Sequence, residues 1–333
     1  MAPPDGAEFP DEFELIAELF APLAAGAPGA LALEDDAALY VAPSGHQTVL
    51  TVDAMVEGVH FLPDDPAESV ARKLLRVNLS DLAAKGATAK GYLLVTAWHD
   101  GTSLEWMRAF ATGLAADQQI FGVVLWGGDT VRTPGPATFS LTAIGEVHEG
   151  QMLRRGGASA GDGLYVTGTL GDAALGLMAL RGGLEGLGEA HRDYLAGRYR
   201  LPEPRLATGA RLCGLASAAL DISDGLMADL GHLCAVSGVG ARIELGRLPL
   251  SEAGRVALAL DKGLIETIAG GGDDYEILFA VPSDREADIA LVAAETLTPI
   301  VRIGTVLAAT EGINLVDDAG QPVALKHLGY RHF

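Results

Sequence analysis

Acidic residues recur in this chain where acids are otherwise costly. Asp81 lies in a helical pattern, "RVNLSDLAAKGA", although Asp is a poor residue inside a helix. Asp221 closes the apolar run "SAALD", where a buried carboxylate needs a partner. Asp53 follows "QTVLTV", Asp129 follows "VVLWGG", and Asp36 stands with Glu34 and Asp35 in "LALEDDAALY". Asp273 and Asp274 precede the run "YEILF". Taken singly, each is a turn-forming acid beside an apolar segment. Taken together, acid after acid at the rim of an apolar strand supplies the oxygen ligands of hard divalent cations. Such ions serve phosphate chemistry, in which charge must be neutralised.

Further residues fit that chemistry. In "LDISDGLMADLGHL", Asp221 and Ser223 are two apart in a strand and point the same way. Ser223 or Asp224 is placed to cap the next helix, whose N–H groups favour anions. Arg154 and Arg155 are a guanidinium pair in an acidic chain, suited to phosphate oxygens or else to a solvated linker. "GTLGDAALGL" is a Gly-rich turn entering a helix, a weak phosphate-loop signal. His60, taken alone, reads as a structural histidine. On the helix over 67–85, Val70, Leu74, Val77 and Leu82 form the buried stripe, and Asn78, Asp81 and Lys85 share another face.

Several function classes are excluded. None of the five lysines is followed by Ser or Thr, so there is no Walker A loop. No strand runs through Gly-x-Gly-x-x-Gly into a helix, and no His-Glu-x-x-His occurs. A net charge of −21 repels nucleic acid. No apolar run approaches the ~20 residues that span a bilayer. The N-terminus is acidic and Pro-rich, unlike a secretory signal, and reads as a loose arm over its first ten or so residues. With only Cys213 and Cys234, no disulfide framework is expected, and a cytoplasmic location follows.

The elements that must position these residues alternate. Strands are expected at 47–52, 91–98, 121–126 and 138–147, with helices at 67–85 and 103–119. The Gly- and Ser-rich "EVHEGQMLRRGGASAGDG" marks a domain boundary near residue 149. Beyond it come strand 163–168, helix 172–182, a stretch broken by the prolines of "RYRLPEPR", helix 205–213, strand 217–222, helix 225–236, strand 240–246 and strand 276–281. Hairpin-like and helix-linked strands together indicate an α/β chain of the α+β kind.

Seven motifs in order, "DDAA", "TVDAMVEGVHF", "VNLSDLAAKGA", "WGGDT", "VTGTLGD", "DISDGLMADLGHL" and "GGDDYEILF", resemble thiamine-monophosphate kinases from about residue 13 to Phe333. These belong with aminoimidazole ribonucleotide synthetase and its relatives. The resemblance implies an N-terminal α/β dimerisation domain over 1–149 and a C-terminal α/β domain over 150–333. It implies phosphoryl transfer from ATP to thiamine monophosphate, assisted by several Mg²⁺ ions, in a cytoplasmic homodimer without nucleic-acid or membrane partners. A monovalent cation is a further candidate cofactor. The implied metal ligands are Asp36, Thr51, the Val52 carbonyl, Asp53, Asp81, Asp129, Asp221 and Asp224, with Asp81, Asp129 and Asp221 catalytic. Gly128, Asp129, Arg155 and Ser223 are implied nucleotide contacts, the glycines of "WGGDT" letting the nucleotide approach the backbone. His60, Asp273 and Tyr330 are implied on the acceptor side, where the family usually has Glu for Asp273 and often Trp for Tyr330. The alternatives are another ATP-dependent enzyme of the superfamily and a non-catalytic Mg-nucleotide binding protein.

Overall fold

The computed structural model describes residues 10–330. Residues 1–9 of the expected N-terminal arm, and the closing residues 331–333, lie outside them. The chain divides into two compact units. The described residues up to Leu82 and Thr88–Glu149 form unit 1; Ala83–Ala87 and those from Gly150 onward form unit 2.

Unit 1 opens with a single helical turn, α1 (Glu12–Leu15), capped reciprocally by Asp11 and Glu14. Irregular turns follow to Leu33. Then come β1 (His46–Val56), α2 (Ala67–Ala84), β2 (Thr88–His99), α3 (Leu104–Phe121), β3 (Val124–Thr133) and β4 (Thr138–His148). The sheet order is β1-β4-β2-β3, antiparallel except for the parallel pair β2–β3. That parallel pair is joined by α3, since parallel strands need a crossover. Ser103 caps the start of α3 and left-handed Gly122 ends it. Fully buried Asp117 of α3 accepts from Arg72 (2.8 Å) and Arg76 (2.6 Å) of α2, which supplies the partners a buried carboxylate requires.

At two expected strand ends the strand in fact continues. "WGGDT" is not a strand terminus: β3 runs through it to Thr133. The strand bulges at Trp126, where Tyr92 faces Leu125 and Leu93 faces Gly127. Beyond the bulge, a Cβ on Gly128 would stand 1.8 Å from the Leu94 carbonyl oxygen. The absent side chain at Gly128 thus serves strand pairing, and apolarity stops at Trp126 because the rest of β3 is an exposed edge. Asp53 likewise lies within β1 rather than at its end.

Unit 2 contains β5 (Gly163–Thr167), α4 (Asp172–Leu180), α5 (Glu189–Arg200), α6 (Leu206–Leu212), β6 (Ala218–Asp221), α7 (Leu226–Ser237) and β7 (Val239–Glu244). It continues with α8 (Glu252–Leu260), α9 (Ile265–Gly270), β8 (Ile277–Val281), α10 (Glu286–Thr296), β9 (Ile300–Ala308) and β10 (Ile313–Val316). Its sheet has the order β10-β7-β9-β5-β8-β6. Alternate residues of the central strands feed two cores. Leu164, Val166, Leu220 and Leu278 join one, while Tyr165, Ala219, Ile277 and Phe279 join the other. Both faces are therefore covered, which explains the unbroken apolar runs. The sequence reading missed α5, whose Gly-rich lead-in and following prolines hide it. Its Arg198, with Arg205, grips fully buried Glu276 ahead of β8, at 3.0 and 2.6 Å. Gly168 makes room for that carboxylate: a Cβ there would lie 2.0 Å from Glu276 Oε1. Among the described residues no helix is long and apolar enough to cross a membrane.

Candidate active site

The predicted residues gather in three places, two in unit 1 and one in unit 2. The first joins β1 to α2. Asn78 is fully buried, not part of a solvated face; its amide oxygen accepts the Asp53 N–H (3.0 Å) and its amide nitrogen donates to the Leu74 carbonyl (2.9 Å). This bond satisfies an edge-strand donor and pins β1 onto the helix that carries Asp81. Thr51 donates its hydroxyl proton to Asp81 Oδ2. Burial, and then the Asp81 carboxylate, push the Asp53 carboxyl up to about 6. Two carboxylates and a hydroxyl thus converge. The Val52 side chain points to the opposite face and is exposed.

The second group lines a cavity of about 650 Å³ on that opposite face, where Asp36, Gly128 and Asp129 meet Tyr40, Trp126 and Ile144. Its acidic loop is tied down by Tyr40, whose hydroxyl donates to buried Glu146. Glu146 also pairs with Lys90 at 3.2 Å. The Tyr40 ring meets Trp126 edge-on at 5.3 Å. Register shows how the two groups relate. Asp53, Leu141, Leu94 and Gly128 form one row across the sheet; Ala54, Ser140, Val95 and Asp129 form the next. Successive residues face opposite sides, so Asp53 and Asp129 point away from each other across three strand spacings, about 14 Å. Within one unit 1 they cannot share an ion.

The third group lies in unit 2. Asp221, 8% exposed, ends β6. Ser223 and Asp224 follow in a half-buried loop. The Ser223 carbonyl accepts the Asp273 N–H and the Asp224 carbonyl accepts the Tyr330 N–H, both at 2.9 Å. Asp273 and Tyr330 are thereby brought beside Ser223 and Asp224. Asp273 has φ +70°, a conformation that Asp tolerates better than longer side chains.

Two sequence expectations about anion-binding N–H groups do not hold. Neither Ser223 nor Asp224 caps α7; its N-cap is Gly225, without a side-chain bond. Instead Asp229 reaches back from inside α7, and its Oδ2 accepts the N–H groups of Ser223, Asp224 and Gly225, each at 3.1 Å. Burial first, then the Asp224 carboxylate, push Asp229 up to about 7, against the pull of these three bonds. Likewise the turn "GTLGD" offers no open phosphate cradle. Buried Asp274 already accepts from Gly171 N–H (2.6 Å) and Ala173 N–H (3.2 Å). Burial pushes the Asp274 carboxyl up to about 8.

Two of the predicted residues stand apart from these groups. His60 lies in the turn after β1, its Nδ1 accepting the Val56 N–H at 3.0 Å. Arg155 is exposed, next to Arg154, whose carbonyl accepts the Ala219 N–H of β6 at 2.8 Å. The reading missed Asp229, Glu276 and Glu146. The signal for the first was available: an Asp in the first turn after an Asp-rich loop, within the apolar start "LMADL" of a helix.

Among the described residues no three Asp, Glu, His or Cys side chains are arranged to hold a metal ion. The Thr51, Asp53 and Asp81 oxygens nonetheless fit a hard divalent cation, which binds through one or two carboxylates and keeps several waters. A cation there would offset both the burial and the Asp81 repulsion that raise Asp53.

Two domains of these shapes, with acids on the strands of each, define a protein of the AIR synthase related class. The N-terminal domain model of that class matches residues 34–147 and its C-terminal domain model matches 159–316. The chain is 42% identical to the thiamine-monophosphate kinase of Caulobacter vibrioides, over 97% of this chain and 91% of that one. It therefore belongs to the thiamine-monophosphate kinase family. Its fold superposes on the crystal structure of thiamine-monophosphate kinase from Stenotrophomonas maltophilia K279a with a TM-score of 0.78 at 38% identity, covering 87% of this chain and 91% of that one. It also superposes on AaThiL complexed with AMPPCP and TMP, with a TM-score of 0.77 at 30% identity over 97% of each chain.

Proposed function

We propose that this chain transfers the γ-phosphoryl group of ATP to the phosphate of thiamine monophosphate by direct in-line displacement. The observation that carries the reading is the convergence of Asp53 and Asp81 with Thr51: the Thr51 hydroxyl donates to Asp81, and burial together with the Asp81 charge raises the Asp53 carboxyl. Its setting is a family whose relative has been seen with an ATP analogue and TMP. Mg²⁺ held by Asp53, Asp81 and Thr51 would neutralise the phosphate charge that develops during transfer. Asp221 and Asp224 offer the same oxygen chemistry in unit 2. Gly128 and Asp129 border a cavity whose apolar lining suits a nucleobase. Asp129 lies at its rim, where an ion bound by it would meet nucleotide phosphates. Asp273 and Tyr330 present an acceptor and an aromatic face suited to an aminopyrimidine and a cationic thiazolium ring. The acceptor is a phosphate already ionised at neutral pH, so the reaction needs no strong general base.

A homodimer and a cytoplasmic location accompany this reading. One face of the unit 1 sheet exposes Leu50, Val52, Leu93, Val95 and Val131, apolar positions interleaved with Ser140 and Thr142 of β4 and bordering the cavity, and exposed apolar side chains of this kind suit pairing with a second copy. Two free cysteines suit a reducing compartment.

Calorimetry tests the metal-dependent half of the proposal. ATP should bind tightly with Mg²⁺ present and lose at least about tenfold in affinity in EDTA, the scale of one lost charge-assisted contact or more. Equal affinity in both buffers would remove the role given to the carboxylates.

A further inference from the structure

We propose that Asp229 is a positioning residue that sets the Ser223–Gly225 loop between the nucleotide-side and acceptor-side groups, an inference that rests on the kinase reading above. Asp229 is 3% exposed and lies within α7, where it points back toward the helix start. One of its oxygens accepts three successive N–H groups, from Ser223, Asp224 and Gly225. The carbonyls of the same stretch face the other way. Ile222, Ser223 and Asp224 accept the N–H groups of Tyr275, Asp273 and Tyr330, each at 2.9 Å. The loop is thus gripped on one side by a single carboxylate and grips, on its other side, both segments assigned to the acceptor. Close packing leaves it no slack. A Cβ on Gly225 would lie 2.7 Å from the Gly270 carbonyl oxygen, and one on Gly272 would lie 2.2 Å from that of Ser223.

Two consequences follow. The loop N–H groups are already engaged, so neither Ser223 nor Asp224 offers its backbone N–H to a nucleotide, and the Ser223 hydroxyl is the donor left for it. Releasing the three N–H groups should displace both sets of groups at once, because they hang on the same backbone. Misplacement of about 1 Å costs roughly 100-fold in rate. A plain helix cap would instead cost stability and leave the two substrate affinities alone.

The test uses the full chain with Asp229→Ala and Asp229→Asn, read by amide exchange and by steady-state kinetics. In the unaltered protein, the amides of residues 223–225 should exchange at least about 100-fold more slowly than free peptide, as hydrogen-bonded groups do. Asp229→Ala should lower kcat by about 30-fold or more and raise both KM values, for ATP and for thiamine monophosphate, at least about threefold. Asp229→Asn keeps an acceptor oxygen and should recover most of that loss. Freely exchanging amides in the unaltered protein would overturn the proposal whether or not the alanine variant folds. So would an alanine variant within twofold on every constant, or an asparagine variant as impaired as alanine. If the unaltered protein transfers no phosphoryl group, the kinase reading fails, and the exchange measurement still judges the loop.

Discussion

Asp221 and Asp273 show how much a single side chain can say. Asp221 is a carboxylate at the end of a core strand, a position that costs free energy unless the group is used or paired. Asp221→Asn keeps shape and removes charge. It should lower kcat by about 100-fold or more, the scale of one lost electrostatic stabiliser, with the thermal transition preserved. Activity within twofold would reduce Asp221 to a satisfied core acid. Asp273→Ala should raise KM for thiamine monophosphate and spare that for ATP; an effect on ATP alone would move Asp273 off the acceptor side. The acids themselves were legible in the sequence because their positions defy helix and core preferences. Their partners were not. Nothing in the residue order indicates that Asn78 bonds Asp53, or that Asp53 and Asp129 face opposite sides of one sheet. Those facts depend on strand register and on the bulge at Trp126.

At the scale of elements, the helix starts carry the clearest departures from simple sequence rules. Helix α4 follows a Gly-rich turn and α7 an Asp-rich loop, and both helix starts read as anion sites. In each, a buried aspartate of the chain takes the N–H groups instead, Asp274 from across the fold and Asp229 from within the helix. Local patterns located these helices well, but long-range contacts decide what occupies their ends. Strand β3 was cut short, and α5 was missed, because Gly and Pro weaken a periodic signal even where tertiary packing overrides them. Asp274 gives a prediction with a definite sign. Its folded-state carboxyl stands near 8, above the ordinary 3.8 of the unfolded chain. The folded protein therefore holds the proton more tightly. The associated stability is fully present below about pH 4 and is lost as pH rises through about 8. Urea unfolding in EDTA between pH 6 and 9 should show stability falling more steeply for the unaltered chain than for Asp274→Asn. Parallel curves would contradict the shift.

At the scale of the whole molecule, the two-unit α/β plan followed from the alternation of elements and from the Gly- and Ser-rich stretch between the two series. The exposed apolar face of the unit 1 sheet, with Leu50 and Val52 on it, did not follow, because a strand pattern over 47–52 does not say which of its faces is covered. Placed on an exposed face, these two side chains support the proposed second copy. Val52→Glu should shift sedimentation from dimer to monomer, since a carboxylate has no place in an apolar interface; an unchanged sedimentation coefficient would argue against that face. Phosphoryl transfer itself is open to direct assay. The full chain is incubated with γ-labelled ATP, thiamine monophosphate and Mg²⁺, and the products are separated. Label should appear in thiamine diphosphate, in equal amount to the ADP formed, and none should appear there in EDTA. Label released only as inorganic phosphate, or ATP bound without turnover, would contradict the kinase reading.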